Sequence, residues 1–277
     1  MRPVRPGDGK GDQHRAHTGI VMAKLSAIQL LRAQNPNMTK DEATSLVLCR
    51  NVYVNGELCT DPKQLFKGEA TVEISFPKYV SRGGFKLEKA LSEFNLDVKD
   101  LVMLDAGSST GGFTDCLLQN GAKAVHSVDV GFNLLDFKIR SDSRVVVHEK
   151  QNIMTLEKED LDPRPQAAVA DLSFRSINGA ASHVLDLVGH TWMVALIKPQ
   201  FEVPKWQENF FGVIEDPVLM KTTLENVYMN LENDGIGIYQ ATVSPIKGHK
   251  GNTEFLALLK DGHCMSLEQF LSACGIN

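Results

Sequence analysis

The sequence predicts an α/β fold, in which a doubly wound domain with a mainly parallel sheet follows a smaller α+β module. Three observations support this prediction. The chain has 277 residues, which is long for one domain and comfortable for two. Its composition, with 43% hydrophobic and 23% charged residues, is typical of a globular protein. Apolar strand-like segments alternate with helical patterns through about the last two thirds of the chain.

The first module is predicted from two helical patterns followed by two alternating segments. Residues 1–23 lack periodicity and are rich in Gly and Pro, so we expect a disordered extension there. Within residues 24–77, a first helix is followed by a second that begins at Thr39, where T-K-D-E matches a capping box. Alternating apolar residues then precede Asn55-Gly56, a strong signal for a hairpin turn. The basic segment 78–84 is predicted to be a linker.

The second domain is predicted to extend over residues 85–260 and to begin with a helix at 85–96. Its strands are predicted at 101–106, 124–130, 145–149, 167–171, 192–197, 235–243 and 253–259. Further helices are predicted at 111–120, 176–188 and 216–232. This alternation is typical of a parallel sheet that is covered by helices on both faces. Residues 261–277 are predicted to be a weakly helical tail with no evident role.

Composition excludes several classes of protein. The longest unbroken apolar run, Trp192 to Ile197, is far shorter than the roughly 18 residues that a membrane span needs. The first twenty residues contain no apolar stretch of the kind found in secretory signals. The five cysteines include no C-x-x-C pair, which argues against a disulfide framework and against a zinc ribbon. We therefore expect a cytoplasmic protein without a metal site.

Charge is unevenly distributed along the chain. Residues 1–90 hold 14 Lys and Arg against 9 Asp and Glu, whereas residues 91–277 hold 15 against 25. A basic front part joined to an acidic remainder is typical of a nucleic-acid reader attached to another domain. The alternative interpretation is chance together with a basic tail. The candidate RNA contacts are Arg50, Lys63, Lys78 and Arg82.

A Gly-rich turn follows the first strand of the second domain, in the segment D-A-G-S-S-T-G-G at residues 105–112. Such a turn lets a ligand approach the backbone at the carboxyl ends of the strands. Phe113 follows the last glycine, where a phosphate-binding P-loop requires Lys, and the G-x-G-x-x-G spacing of dinucleotide sites is absent. An acidic residue followed by G-x-x-x-G remains, a pattern that S-adenosylmethionine-dependent methyltransferases use. The alternative is a turn that only tightens the packing of strand against helix.

Asp129 strengthens the cofactor prediction. It ends the second strand 24 residues after Asp105, close to the spacing of about 20 residues at which a carboxylate binds the hydroxyl groups of a ribose. Carboxylates also suit a cofactor that carries a sulfonium cation and no polyphosphate. The predicted cofactor-binding residues are Asp105, Gly107, Ser108, Ser109, Thr110, Gly111, Gly112, Asp129, Val130, Asn152 and Asp171.

Four polar residues are expected at, or adjoining, the same edge of the sheet. Lys86 opens a helix, Asp171 and Lys198 end two strands, and Glu254 begins the last strand. Each has an ordinary interpretation by itself: a solvated helix lysine, a helix cap, a strand-end lysine and an exposed strand acid. Their coincidence at one edge favours a catalytic group.

The chemistry of ribose methylation gives the four residues a joint purpose. A ribose hydroxyl is a very weak acid, and a lysine can take its proton when burial or a neighbouring cation lowers the pKa of the amine. We expect Lys86 to lie near Lys198, with Asp171 and Glu254 holding both ammonium groups. Amino-group methyltransferases carry an Asn/Asp-Pro-Pro-aromatic turn, where this chain has D-L-S-F. Cytosine-carbon methyltransferases need a cysteine at the site, and Cys116 falls within a predicted helix.

Six segments of the chain, between about Leu25 and Lys260, resemble the TlyA or "hemolysin A" family, a branch of the FtsJ-type ribose methyltransferases. These segments are P-K-Y-V-S-R-G-G-F-K-L-E-K-A-L, D-A-G-S-S-T-G-G-F-T-D-C-L-L, V-D-V-G, A-D-L-S-F, I-K-P-Q-F-E and S-P-I-K-G-x-K-G-N-x-E-F. The resemblance implies an N-terminal S-four-like RNA-binding domain and a Rossmann-like class I methyltransferase domain. It implies 2′-O-methylation of ribosomal RNA cytidines with S-adenosylmethionine, acting on ribosomal RNA or ribosomal subunits. It also implies a Lys-Asp-Lys-Glu catalytic tetrad at Lys86, Asp171, Lys198 and Glu254.

The chain departs from the family pattern in three places. After I-K-P-Q-F-E it continues with V-P-K-W-Q-E-N-F-F-G in place of a Gly-rich loop, and these aromatics either stack on a flipped base or cover the sheet edge. Arg175 stands where the family is usually apolar, and the S-four-like helices carry fewer basic residues than usual. Two rival functions stay open: a membrane-lytic protein, in keeping with the hemolysin name, and a non-catalytic RNA-binding protein on a methyltransferase scaffold.

Overall fold

The structure is a computed structural model that describes residues 24–48, 51–173, 176–203, 212–262 and 265–276. It divides into two compact units, with the boundary between Pro77 and Lys78. The predicted extension at 1–23 lies outside the described residues, as do Arg50, Arg175 and the aromatic residues of the segment 204–211.

The first unit is a small α+β structure. Its elements are β1 (Lys24–Ser26), α1 (Ala27–Gln34), α2 (Lys40–Leu48), β2 (Val52–Val54), β3 (Glu57–Leu58), β4 (Leu65–Lys67) and β5 (Val72–Ile74). Strand β1 pairs with β4, and β2 pairs with both β3 and β5, all antiparallel. The predicted capping box precedes α2: the Thr39 amide donates to Glu42 at 2.8 Å, and the Glu42 amide donates to Thr39 Oγ1 at 3.2 Å. Its apolar core includes the buried side chains of Leu30, Leu31 and Val47.

The second unit alternates strands and helices. Its first half comprises α3 (Gly83–Glu93), β6 (Val102–Ala106), α4 (Gly112–Gln119), β7 (Ala124–Asp129), α5 (Phe137–Arg140), β8 (Val145–Glu149) and β9 (Ala167–Ala170). Its second half comprises α6 (Ala180–Leu187), β10 (Met193–Ile197), α7 (Pro199–Glu202), α8 (Pro217–Asn233), β11 (Ile236–Val243), β12 (Phe255–Asp261) and α9 (Leu267–Ala273). Single 3-10 turns occur at Ile153–Thr155, Lys158–Asp160 and His249–Gly251.

Across the described residues of this unit, seven strands form one sheet in the order β11-β12-β10-β9-β6-β7-β8. Strands β8, β7, β6, β9 and β10 are parallel, while β12 runs antiparallel between β10 and β11. Central strands such as β6, β9 and β10 are buried along their whole length, as expected when helices cover both faces.

The order of the strands places the site. The chain proceeds outward from β6 to β7 and β8, and then returns to the other side of β6 with β9 and β10. The carboxyl edge between β6 and its neighbours is therefore a topological switch point, where open α/β sheets bind ligands. Ala106 of β6 pairs with Val128 of β7 and with Ala170 of β9, so the three strands end at nearly the same level.

Two predicted segment boundaries are wrong. Residues 79–84, expected within a linker, belong to the second unit: Tyr79 is 1% exposed in its core, and α3 begins at Gly83. A Cβ at Gly84 would lie 2.2 Å from the Tyr79 ring, so this glycine allows the ring to pack against the helix. The expected C-terminal tail contains α9, which Ser266 caps and which buries Phe270 completely. No helix among the described residues is long and apolar enough to cross a membrane.

Candidate active site

The Gly-rich turn between β6 and α4 lies against the end of β9. Gly107 has φ +86°, and a Cβ at this position would lie 2.5 Å from the carbonyl oxygen of Asp171. The amides of Gly107 and Ser108 both donate to the carbonyl of Val128, at 2.9 and 3.0 Å. These bonds hold the turn against β7 as well. Only glycine fits at residue 107, because any side chain there would collide with the neighbouring backbone.

Asp129 is fixed at the carboxyl end of β7 by two backbone amides. Its Oδ2 accepts from the Ser109 amide at 2.8 Å, and its Oδ1 accepts from the Gly131 amide at 2.7 Å. Ser109 has φ 48°, a left-handed conformation that is uncommon for a residue with a side chain. The carboxylate therefore joins the Gly-rich turn to β7 and keeps a defined orientation.

Two adjoining cavities open at this edge of the sheet. The larger, of about 330 Å³, is lined by six of the predicted cofactor residues: Gly107, Ser109, Asp129, Val130, Asn152 and Asp171. Apolar side chains of Leu134, Ile153 and Leu172 complete much of its wall. The smaller cavity, of about 210 Å³, is lined by the predicted residues Ser108, Thr110, Gly112 and Lys86. Gly107, Ser109 and Asp171 line both.

Asp105 does not line either cavity, which corrects its prediction as a cofactor contact. Its carboxyl group is 0% exposed and accepts a hydrogen bond of 2.6 Å from Thr114 Oγ1 of α4, which also bonds Ser127 Oγ of β7 at 2.8 Å. Burial raises the pKa of Asp105 to about 7. The Asp105 carboxyl group thus links α4 to the sheet through its hydrogen bond with Thr114. Gly111, also outside both linings, precedes α4 with φ +91°.

The four predicted catalytic side chains form two ion pairs. Lys86 Nζ of α3 lies 2.5 Å from Glu254 Oε2, just before β12. Lys198 Nζ, after β10, is paired with Asp171 Oδ1, after β9. Both lysines are 9% exposed and Glu254 is 3% exposed. Partly desolvated ammonium groups held by carboxylates have fixed positions, which is what a site needs to orient a hydroxyl group.

Further residues, which were not predicted from the sequence, position these groups. Ser173 accepts a hydrogen bond of 3.0 Å from Lys198 Nζ, which gives this amine a second partner. A Cβ at Gly248 would lie 2.2 Å from Glu254 Oε1, so the backbone of residue 248 lies directly on the carboxylate. Asn252 is 3% exposed. Its backbone carbonyl accepts from the Gly248 amide at 2.8 Å, and its side-chain Nδ2 donates to the Gly212 carbonyl at 2.7 Å. The segment S-P-I-K-G-H-K-G-N-T-E-F, which contains Gly248, Asn252 and Glu254, resembles the family as a whole, but the resemblance does not predict these individual contacts.

The predicted RNA-contacting residues differ in their exposure and in their neighbouring side chains. Lys78 is ion-paired with Glu88 in the second unit. Arg82 is exposed and lines the smaller cavity, together with Lys247, which was not predicted as an RNA contact. Lys63 is exposed on the first unit, and Arg50 lies outside the described residues.

The larger cavity fits S-adenosylmethionine. Its glycine turn permits close contact with the backbone, and Asp129 offers a carboxylate to a ribose. Its apolar wall suits a flat, uncharged base. Of the described residues that line it, none is Lys or Arg, so the cavity has no cation for a polyphosphate, whereas Asp129 and Asp171 suit a sulfonium group.

Comparison with known proteins agrees with this geometry. Residues 79–261 match the model of the FtsJ-like methyltransferase family. The chain is 41% identical over 222 residues to Hemolysin A of Brachyspira hyodysenteriae, covering 79% of this chain and 92% of the relative. It is 34% identical over 248 residues to the 16S/23S rRNA (cytidine-2′-O)-methyltransferase TlyA of Mycobacterium tuberculosis, covering 86% and 89%. A solved structure from Streptococcus thermophilus, described as a hemolysin, has a TM-score of 0.66 at 35% identity, covering 91% of this chain and 96% of that one.

The matched family segment begins next to the unit boundary and contains both cavities and all four ion-paired residues. The chain therefore belongs to the FtsJ-like methyltransferase family, which confirms the Rossmann-like α/β fold, the methyltransferase activity and the S-adenosylmethionine cofactor predicted from the sequence.

Proposed function

We propose that this protein methylates the ribose 2′-hydroxyl of cytidines in ribosomal RNA. The observation that carries the proposal is the two ion pairs, Lys86–Glu254 and the partly exposed Lys198–Asp171, because Lys86 and Asp171 line the cavity next to the cofactor cavity. The name of the Mycobacterium tuberculosis relative supports the substrate class, since it specifies the 2′-oxygen of rRNA cytidines.

The arrangement supports a defined division of roles. Bound S-adenosylmethionine supplies an electrophilic methyl group. Asp171 and Ser173 hold Nζ of Lys198, which must first give up the proton of its ammonium form and, as a neutral amine, would then take the proton of the attacking hydroxyl group. The bond from the 2′-oxygen to the methyl carbon would form as the bond from that carbon to the sulfonium sulfur breaks, leaving a neutral thioether. Glu254 holds the ammonium of Lys86 on the wall of the smaller cavity, where it orients the ribose oxygen by a hydrogen bond. Gly107 and Asp129 would hold the cofactor.

The first unit would act as an S-four-like RNA-binding domain. Exposed Lys63 there, with Arg50, would contact rRNA. On the second unit, Lys78 and Arg82 would make contacts with rRNA of their own. The substrate would be ribosomal RNA or a ribosomal subunit, which places the enzyme in the cytoplasm.

The test is transfer of a tritiated methyl group to separated ribosomal subunits, followed by mapping of the modified ribose. We expect label on a cytidine 2′-oxygen with the wild type, loss of label with Asp171→Ala, and full label with Lys123→Ala. Lys123 is an exposed lysine at the opposite, amino edge of β7, so it serves as a matched surface control. Label on a base in place of a ribose would overturn the proposal. A liposome-leakage assay on the same samples tests the rival activity that the hemolysin name suggests.

A further inference from the structure

The segment that follows β7 exposes an unusual number of large apolar side chains. Val130, Phe132, Leu134 and Phe137 are 70%, 64%, 48% and 81% exposed. Val130 and Leu134 line the larger cavity, so a bound cofactor accounts for their exposure. Phe132 and Phe137 line neither cavity. An exposed apolar cluster beside a binding cavity indicates a surface that contacts a partner.

Phe132 is held on a fixed backbone. The carbonyl of Gly131, on one side of it, accepts from the Lys150 amide at 2.9 Å. The amide of Asn133, on the other side, donates to Glu149 Oε1 at 2.7 Å. Two hydrogen bonds, to the last residue of β8 and to the residue after it, therefore fix the backbone on both sides of an exposed ring. Its position is defined before any partner arrives, which lowers the entropy lost on binding.

A cation accompanies this ring. The ammonium of Lys150 lies 4.4 Å from the ring centroid of Phe132. Lys150 has φ 55°, a left-handed conformation that is unfavourable for a lysine and that occurs more often at functional sites than elsewhere. Among the residues that the structure describes, Lys150 has no carboxylate within ion-pair distance. Its charge is therefore available to an anion.

We propose that Phe132 and Lys150 form a stacking platform for a nucleotide of the RNA substrate that flanks the target ribose. A base would stack on the open face of the ring, and the ammonium of Lys150 would contact the adjoining phosphate. An aromatic face beside a cation matches the two chemical parts of a single-stranded nucleotide. The platform lies on the segment that borders the cofactor cavity, where an RNA strand must pass to bring its ribose to the methyl group. This inference rests on the proposed function, because it assumes an RNA substrate.

The test uses two conservative variants. Phe132→Leu keeps an apolar side chain but removes the aromatic plane, and Lys150→Asn removes the charge with a residue that tolerates the left-handed conformation. The chain also offers a matched control: Tyr239 of β11 is 37% exposed and has the ammonium of Lys260 at 4.9 Å from its ring centroid. Strand β11 forms the opposite edge of the sheet from β8. Tyr239→Leu and Lys260→Asn therefore make the same changes away from the site.

We expect Phe132→Leu to raise the KM for ribosomal subunits about tenfold, since stacking on an aromatic side chain typically contributes this much per base. We expect Lys150→Asn to reduce the slope of log affinity against log salt by about one, as for one lost phosphate contact. Cofactor affinity by calorimetry, kcat at saturating substrate and the melting temperature should stay at wild-type values, and the two control variants should behave like the wild type.

Each contrary outcome has a distinct meaning. An active Phe132→Leu enzyme with unchanged KM overturns the platform, as does an equal loss in Tyr239→Leu. A loss of cofactor affinity in Phe132→Leu overturns it too, because the ring would then belong to the cofactor site. A changed oligomeric state with unchanged RNA affinity overturns it in favour of a protein interface. A wild-type protein that transfers no methyl group to rRNA overturns the proposed function instead.

Discussion

Gly107 and Asp129 provide the first residue-scale prediction. A Cβ at residue 107 would lie 2.5 Å from the Asp171 carbonyl oxygen, so Gly107→Ala should distort the turn and abolish detectable S-adenosylmethionine binding. Asp129→Ala should have the same effect, because it removes both the predicted ribose acceptor and the bond that orients the Ser109 amide. Isothermal calorimetry measures both. Gly189→Asn is the control, since Gly189 also has a positive φ, +68°, but has nothing within 4 Å of its hypothetical Cβ. Unchanged affinity in both site variants would contradict the cofactor site.

Lys198 provides the second prediction at the residue scale. Lys198→Ala should leave cofactor binding intact while lowering single-turnover methyl transfer by about 10²–10⁴-fold, the usual contribution of a positioned base. Lys198→Arg should fail as well, because a guanidinium keeps its positive charge near neutral pH and has no lone pair for the proton. Rapid-quench measurement of labelled RNA gives the rate, with calorimetry as the folding control. An active Lys198→Arg enzyme would mean that the residue acts only as a fixed charge.

Predictability at the residue scale differed between two similar carboxylates. Both Asp105 and Asp129 belong to the ends of parallel strands, and the sequence predicts a cofactor contact for each. Thr114 of α4 distinguishes them, because its hydroxyl group engages Asp105 and Ser127 and closes off that carboxyl group from the cavity. Such a contact between separate elements leaves no mark in the spacing of either acid. The four catalytic candidates could be grouped because strand ends share an edge. The pairing of Lys86 with Glu254, however, depends on how α3 packs against β12, which the sequence does not indicate.

At the scale of elements, two histidines on β7 and β8 give a prediction on pH. His126 Nε2 lies 2.8 Å from the Pro163 carbonyl and can only donate there, so His126 Nδ1 must accept from His148 Nε2 at 3.0 Å. Burial lowers the pKa of both rings, so both are neutral in the folded protein. The unfolded chain takes up protons below about pH 6.5 while the folded chain resists them. Their contribution to stability is therefore complete above that pH and is lost as the pH falls.

Urea unfolding at pH 8 and at pH 5.5 measures this effect. His148→Gln keeps a donor to His126 but removes one titrating ring, so its free energy of unfolding should fall less between the two pH values. The raised pKa of Asp105 acts in the opposite direction, because it makes stability decrease as the pH rises towards 7. Comparing the variant with the wild type cancels that contribution, since Asp105 is present in both. Equal losses in the two proteins would contradict the role of the pair.

The elements themselves were largely predictable, for a physical reason. Strands buried on both faces appear as continuous apolar runs, so the prediction 192–197 lies within one residue of the observed Met193–Ile197. The insertion of β12 between β10 and β11 was not predictable, because periodicity contains no information on strand order. One-turn helices such as α5 and α7 are too short to show a period. Tyr79 and Phe270 lie in segments that resemble a linker and a tail, and only their packing reveals them as core residues.

At the scale of the whole molecule, the unit boundary changes the meaning of the charge distribution. Residues 24–77, the described part of the first unit, contain six Lys and Arg and six Asp and Glu and so have no net charge. The positive surplus of residues 1–90 comes from 1–23, with four cations against two acids, and from 78–90, with four against one. If residues 24–77 contact RNA, they must use individual cations and shape complementarity, because these residues have no net positive charge. Arg82 and Lys247, which line the smaller cavity, belong to the second unit.

A truncated protein beginning at Lys78 tests this division of roles. It keeps both cavities, the two ion pairs and a separate hydrophobic core, so its affinity for S-adenosylmethionine should equal that of the full chain. Turnover on ribosomal subunits should fall at least tenfold, because shape-dependent contacts of the first unit with RNA are lost. The slope of log affinity against log salt should decrease by about one for each phosphate contact removed. If the truncated protein methylates rRNA as fast as the full chain, residues 24–77 do not read the RNA. The contacts would then lie on the second unit, where Arg82→Ala should reduce RNA affinity in both proteins equally.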